Sequence, residues 1–89
     1  MARRVVFTDH AWSEYQRWQE TDHRRVDRVN DLIDAAVREP FAGIGKPEPL
    51  RGGWKGCWSR RIDDRHRLVY EVHPGDLVVL QCRYHYDDR

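Results

Sequence analysis

Long apolar runs are missing from this 89-residue chain. No stretch approaches the roughly 20 residues that a membrane-spanning helix needs, and the N-terminus shows no apolar stretch of the signal-peptide kind. Cysteine is scarce. Cys57 and Cys82 lie far apart, with no CxxC and no metal-ligand spacing. Neither a disulfide framework nor a zinc site has a basis, and two reduced, partly buried thiols in a cytoplasmic protein are expected. An excess of one charge is missing too. The net charge is +1, which excludes a binder that works by bulk charge. No internal repeat or low-complexity tract breaks the chain. The length is that of one small domain, of a size that buries about 60% of its unfolded surface, so a partner chain or a dimer is a reasonable companion.

What is present is more specific. Four tryptophans and four tyrosines argue against disorder despite 35% charged residues. Residues 1–44 carry 7 basic and 8 acidic side chains, whereas residues 45–67 carry 7 basic against 3 acidic, a local charge of +4. Arginine outnumbers lysine 14 to 2. Its planar fork grips phosphate or carboxylate through two parallel bonds, which the point charge of lysine cannot do. A local arginine-rich patch fits a nucleic-acid backbone. A solvated face paired with acidic helices fits the composition nearly as well.

Arg3 to Phe7 reads as a short strand. Thr8 is a candidate N-cap, and Ala11, Trp12, Tyr15 and Trp18 recur at helical spacing, predicting a helix over about Asp9–Glu20 that buries an aromatic stripe. Thr21 is the expected cap of a second helix. Its inner face carries Val26, Val29, Ile33, Ala36 and Val37 with Leu32 beside them, and it ends before Pro40. From Pro40 to Gly53 the chain is rich in glycine and proline and lacks periodicity, which predicts an ordered loop pinned by Phe41 and Leu50. Three alternating stretches follow. They are centred on Trp58–Ile62, Leu68–Val72 and Leu77–Tyr86, with turns at Asp63-Asp64 and Pro74-Gly75-Asp76. The expected architecture is α+β, in the order β-α-α-β-β-β, with a helical hairpin on one face of an antiparallel sheet and arginines on the other.

Strand alternation places Gln81, Arg83 and His85 on one face of the last strand, and Cys82, Tyr84 and Tyr86 on the other. Arg61 and Arg67 are expected on the exposed face, where His85 can join them. Glu48 arrives from the loop, held extended between Pro47 and Pro49. A carboxylate, an arginine and a histidine suffice for RNA cleavage without metal. The base removes the ribose 2′-OH proton, the cation holds the phosphate as charge builds, and the acid protonates the departing 5′-oxygen. Each residue alone has a blander role as a solvated carboxylate, a surface ion-pair partner or a structural imidazole.

Six blocks in order carry a resemblance. Tyr15-Gln-Arg-Trp-Gln-Glu-Thr-Asp22, Pro40-Phe41, Gly45-Lys-Pro-Glu-Pro-Leu50, Trp58-Ser-Arg-Arg-Ile62, His66-Arg-Leu-Val-Tyr70 and Cys82-Arg-Tyr-His-Tyr86 together resemble the YoeB (Txe/YoeB) toxins. That family belongs to the RelE superfamily of toxin–antitoxin mRNA endoribonucleases. The resemblance implies a fold like the microbial ribonucleases, with one toxin domain over residues 1–86 and a short tail at 87–89. It implies a toxin that enters the ribosomal A site and cuts mRNA there, inhibiting translation without metal or cofactor. Carried over position by position, Glu48 resembles the general base, Arg67 the phosphate-stabilising arginine, His85 the general acid and Tyr86 the final positioning tyrosine. Arg51 stands where such toxins often carry lysine. With Lys46, Arg61 and Arg83 it makes up the candidate RNA- and phosphate-binding set. The implied partners are a YefM-like antitoxin, the ribosome with its mRNA, operator DNA only as the toxin–antitoxin complex, and a second copy in a homodimer. Two other readings stay open: a non-catalytic basic domain within a repressor complex, and a gyrase-inhibiting relative on the same scaffold.

The tail Asp87-Asp88-Arg89 departs from the pattern, because these toxins commonly end at the tyrosine. Two carboxylates beside the site repel RNA, so removing residues 87–89 should leave cleavage at least as fast. A large loss of activity in the truncated chain would contradict this.

Overall fold

The computed structural model describes residues 3–85. The elements run β1 (Arg4–Phe7), α1 (Asp9–Thr21), α2 (His23–Arg38), β2 (Glu48–Pro49), a short 3-10 turn (Gly52–Trp54), β3 (Cys57–Arg61), β4 (Arg67–His73) and β5 (Asp76–Gln81). The sheet order is β1-β5-β4-β3-β2. The α+β class and the helical hairpin are as expected, but the sheet is mixed: β1 lies parallel to β5 while the other three pairs are antiparallel. Tight turns force antiparallel pairing between consecutive strands. β1 and β5 are joined through the whole helical hairpin and the meander, so no turn constrains their direction.

Thr8 caps α1 as expected, its hydroxyl accepting from the Ala11 N–H at 3.1 Å. Thr21 does not cap α2. It is the last residue of α1, and its hydroxyl donates to the Arg17 carbonyl at 2.8 Å. Asp22 takes the role instead. Its backbone N–H closes α1 on the Trp18 carbonyl, while its carboxylate accepts from the Arg24 and Arg25 N–H groups. A single residue ends one helix and starts the next, which sets the hairpin's sharp turn. α2 buries Val29, Leu32, Ile33 and Ala36, close to the predicted face.

The aromatic stripe of α1 is only partly inside. Trp18 is buried, but Trp12 is 46% exposed, stacked on Tyr15 at 5.7 Å and edge-on to Phe7. The position facing the core is Glu14, at 6% exposure. Both cysteines are free and buried, on opposite faces of the sheet. Cys82 lies in the main core with Trp18, Leu68, Tyr70, Leu77 and Val79, and Cys57 lies in a smaller cluster with Leu50 and Val69. Burial raises the Cys57 thiol above its ordinary value, with Glu71 adding to the effect, so it stays a protonated, inert thiol.

The Pro40–Gly53 stretch is ordered, with Leu50 buried as its pin. Phe41 instead lies 51% exposed with its ring 4.8 Å from that of Trp58. Inside this loop Gly45 has φ +85°, and a Cβ there would stand 2.6 Å from Leu32 Cδ2 and 3.1 Å from Arg60 Cβ. Gly56 also has positive φ but opens onto empty space. Gly56→Ala should therefore cost only the left-handed strain, about 1–2 kcal/mol. Gly45→Ala adds an overpacking cost of about 1–3 kcal/mol. Urea unfolding of the two variants should rank Gly45→Ala as clearly the less stable.

Candidate active site

Residues directly opposite on paired strands share a face of the sheet. Glu48 pairs with Ser59, Ser59 with Val69 and Val69 with Gln81, so these four form a row across the sheet. Two positions along, Arg61 pairs with Arg67. The row lies on the face away from the helices, since Leu68 and Tyr70, which alternate with it, pack in the helix-side core. Glu48 and Arg67 are thus two strands apart, with β3 between them, and two residues along, roughly 12 Å between Cα atoms by ordinary strand spacing.

Glu48 is exposed, in the extended two-residue strand that its flanking prolines favour. Lys46 and Arg51 lie exposed on either side of it. Lys46 has φ 52°, a left-handed conformation that a side-chain-bearing residue rarely adopts, directly before Pro47. Arg61 is exposed as expected. Arg67 is not: only 8% of its surface is accessible. The expectation that it projects into solvent is corrected: the side chain is buried and its guanidinium is held by the turn at residues 62–66. Nη1 donates to the carbonyls of Asp63 (2.6 Å) and His66 (3.1 Å). Among the described residues no carboxylate forms an ion pair with it.

The last strand ends sooner than predicted. Pairing stops at Gln81, and a bulge at Leu80 shifts the register, Val79 opposing Tyr70 while Gln81 opposes Val69. The bulge re-aims Gln81 to the face opposite that of Val79. Beyond it, side chains take the backbone groups that a neighbouring strand would have claimed. Glu14 Oε1 accepts from the Cys82 N–H at 3.0 Å, and Trp18 Nε1 donates to the Cys82 carbonyl at 2.7 Å. Gln81 Nε2 donates to the carbonyls of Arg83 and Tyr84, both at 3.1 Å. Tyr84 adopts φ 63°, its N–H donating to His66 Nδ1 at 2.7 Å and its carbonyl accepting from the Arg67 N–H at 3.0 Å. Strand alternation therefore cannot place Arg83, Tyr84 or His85. Arg83 lies over the rings of Trp18 (5.4 Å) and Tyr84 (4.8 Å). His85 is half-buried, one residue beyond the carbonyl bonded to Arg67. Tyr86 and the tail fall outside the described residues.

The register thus puts Glu48, Arg61 and Arg67 on one sheet face, with Lys46 and Arg51 exposed in the chain on either side of Glu48 and the Tyr84 carbonyl, one residue before His85, bonded to the Arg67 N–H. Sequence reasoning missed the residues that hold this arrangement: Glu14, Gln81 and His66, and Arg60 behind the sheet. Only the helical spacing of Glu14 with Ala11 and Trp18 offered a signal. Among the described residues, no three His, Cys, Asp or Glu side chains cluster as metal ligands, and no helix is long and apolar enough to cross a membrane.

A family model for YoeB-like toxins of bacterial type II toxin–antitoxin systems matches residues 7–86. The chain belongs to the YoeB family. The toxin YoeB of Streptomyces coelicolor is 53% identical over 83 residues, covering 93% of this chain and 99% of that one. The solved YoeB/ParE toxin from Agrobacterium tumefaciens superposes with a TM-score of 0.91 at 53% identity, over 93% of this chain and 99% of its own. The Staphylococcus aureus YoeB, solved as a dimer and in a heterotetrameric YoeB–YefM complex, matches at 36% identity over 97% of this chain and all of its own, with TM-scores of 0.90 and 0.87. A more distant relative, the endoribonuclease HigB of Proteus vulgaris, is 32% identical over 66 residues, 67% of this chain and 72% of that one. The chain is a toxin of a type II toxin–antitoxin system.

Two groups beside Arg67 titrate away from their ordinary values. Burial holds the His66 imidazole below the ordinary value, opposed by Asp63 and reinforced by Arg65, Arg83 and Arg25. For Asp63 burial pushes upward, but donation from the His66 and Arg65 N–H groups, with the charges of His66 and Arg25, brings the carboxyl net below its ordinary range. A lowered value in the folded state means that the unfolded chain binds more protons, so both groups make stability fall as pH falls. His66 acts from about pH 6.5 downward and Asp63 from about pH 4 downward, the ordinary values of the two groups. Acid unfolding should show both contributions, His66→Asn removing the upper and Asp63→Asn the lower in a pH series of urea midpoints.

Proposed function

We propose that this YoeB-family toxin is a ribosome-dependent mRNA endoribonuclease that cuts in the A site by metal-independent attack of the ribose 2′-oxygen. Glu48 takes the 2′-OH proton. The 2′-oxygen bonds to the adjacent phosphorus while Arg67 holds the non-bridging oxygens, and the bond to the 5′-oxygen breaks as His85 delivers a proton to it. The products are a 2′,3′-cyclic phosphate, which opens to a 3′-phosphate, and a 5′-hydroxyl. Tyr86 positions the nucleotide, and Lys46, Arg51, Arg61 and Arg83 supply contacts to the backbone.

The observation that carries this reading is the pairing of an exposed carboxylate with a preorganised cation on one sheet face. Arg67 is only 8% exposed and its Nη1 is held by neutral carbonyls, so its charge is fixed in place and spent on no carboxylate among the described residues. A site that only grips phosphate gains nothing from Glu48 within its basic patch, whereas 2′-OH attack requires a base. A fixed cation in a partly dry site is worth more to a developing oxyanion than a solvated one, because it needs no reorganisation as the charge builds.

Family membership and the YoeB–YefM complex of the Staphylococcus aureus relative support a YefM-like antitoxin as partner. Operator DNA is contacted as that complex, mainly through the antitoxin, and the relative's dimer supports self-association of the toxin. The working compartment is the cytoplasm, where ribosomes and mRNA meet.

Glu48→Gln should lower cleavage on programmed ribosomes by about 10²–10⁴-fold while ribosome binding stays. Cleavage should persist in chelator once ribosome integrity is controlled for. Mapped 5′ ends should appear near start codons only with the Glu48 chain. Undiminished cleavage by Glu48→Gln would remove Glu48 from the mechanism, and growth arrest without new 5′ ends would favour the gyrase-inhibitor reading.

A further inference from the structure

We propose that His66 is a positioning residue for the proton donor: its ring accepts the Tyr84 N–H on Nδ1 and so fixes where the next residue, His85, stands. The proposal rests on the reading of His85 as the general acid.

Tyr84 is the joint between the end of β5 and His85, and its φ of 63° is unfavourable for a residue with a side chain. Such a conformation persists only where its surroundings impose it. Here they do so from three sides. Gln81 Nε2 and the Arg67 N–H both donate to the Tyr84 carbonyl, and His66 Nδ1 takes the Tyr84 N–H at 2.7 Å, the shortest of the three bonds. Of these, the His66 bond is the only one to the N–H side of the residue.

The imidazole is itself held. Its ring meets Trp18 of α1 edge-on at 4.8 Å and that of Tyr84 at 5.7 Å. Its backbone N–H donates to Asp63 Oδ1 at 2.6 Å, and its carbonyl accepts from the N–H of Ile62 and from Arg67 Nη1. One residue therefore touches both halves of the chemistry: its backbone secures the Arg67 guanidinium, and its side chain secures the segment leading to His85. Neither contact is with substrate.

Accepting through Nδ1 requires the neutral ring with its proton on Nε2. The charged groups around it are Asp63 and Arg65 in its own turn, Arg25 from α2 and Arg83 from the segment after β5. Three cations against one carboxylate, together with burial, favour that neutral form. Protonation would turn the acceptor into a donor facing the Tyr84 N–H.

The test compares His66→Asn with His66→Gln. Asparagine Oδ1 can stand near the position of the imidazole Nδ1, whereas glutamine carries its acceptor one carbon farther out. On programmed ribosomes kcat should fall about 10–100-fold in His66→Gln, as expected for sub-ångström to ångström misplacement of a reacting group. KM should change little, and His66→Asn should stay within about threefold of wild type. Equal rates in the two variants would overturn the proposal, as would a defect in KM alone. A readout without activity uses the unaltered toxin: the Tyr84 amide should be protected from exchange and lose protection as the His66 ring signals titrate. An unprotected Tyr84 amide at neutral pH would overturn it even if a variant failed to fold. His85→Gln separates the two levels of inference. If it is inactive while His66→Gln keeps full kcat, only the positioning role fails. If His85→Gln cleaves at the wild-type rate, the acid assignment and the positioning proposal fall together.

Discussion

The guanidinium of Arg60 holds the site's loop to the sheet. Arg60 sits on the helix-facing side of β3 with no exposed surface, a position where a charge is costly. The cost is offset by acceptors on every nitrogen. Nε donates to the Tyr70 hydroxyl, Nη1 to the Ile44 carbonyl, and Nη2 to the carbonyls of Glu39 and Ala42 at 2.7 Å each. Tyr70 passes the connection on, donating to the Pro40 carbonyl at 2.6 Å. Glu39 is the C-cap of α2, so the positive charge also meets the negative end of that helix dipole. Carbonyls that leave a helix and enter an irregular loop have no strand or turn to satisfy them, and one planar fork satisfies three. From there the chain runs through Gly45, whose carbonyl accepts from the Arg61 N–H at 2.7 Å, to Glu48. The location of the proposed base is inherited from a cation on the other side of the sheet.

The other half of the site is set by a different device acting on the same strands. After Gln81 the backbone is held by side chains from α1, from β5 itself and from the residue before β4. Both devices terminate on the β3–β4 ladder, whose residues Ser59, Val69, Leu68 and Tyr70 are almost wholly buried. A rigid central ladder flanked by two irregular segments suits chemistry that needs three groups in register. The ladder fixes the arginine proposed to hold the phosphate, and each irregular segment carries one of the proposed proton-transfer groups. Small elements carry this precision because their polar backbone groups are saturated by long-range partners.

That division also explains what the sequence made legible. Local signals worked where the cause is local: the Thr8 cap, the inner face of α2, the two hairpins and the proline bracket that extends Glu48. They failed where a distant partner decides. Cys82-Arg-Tyr-His-Tyr86 has strand-forming residues throughout, yet the strand stops because Glu14, Trp18 and His66, far away in sequence, take its hydrogen bonds. Thr21 and Asp22 are adjacent capping residues, and only the path of the turn selects the second. Glu14 reads as a solvated helix residue until β5 brings the Cys82 N–H to it. Arg60 and Arg61 are indistinguishable in an alternating string, and the side of the sheet that α2 covers gives them different work. Of the candidate set, the positions of Glu48 and Arg61 followed from pattern. The burial of Arg67 did not, because it depends on how the 62–66 turn folds back.

Comparing Arg60 with Arg67 shows how one residue type is assigned to structure or to chemistry within a single sheet. Both are buried, both sit on the β3–β4 ladder, and they face opposite sides. Arg60 engages Nε, Nη1 and Nη2 in four hydrogen bonds, leaving little capacity for any ligand. Arg67 uses Nη1 alone, in two bonds that hold its plane, and among the described residues Nε and Nη2 have no partner. Neither of those atoms is a fully buried polar group left unsatisfied. Arg67 itself lies on the face that carries Glu48. A fork clamped on one prong with its remaining donors uncommitted suits binding a phosphate through two oxygens. A freely rotating surface arginine would have to give up side-chain entropy to do the same. The distinction lies in the number of acceptors around each guanidinium, which composition cannot show, and it supports the proposed role of Arg67 rather than Arg60 toward substrate.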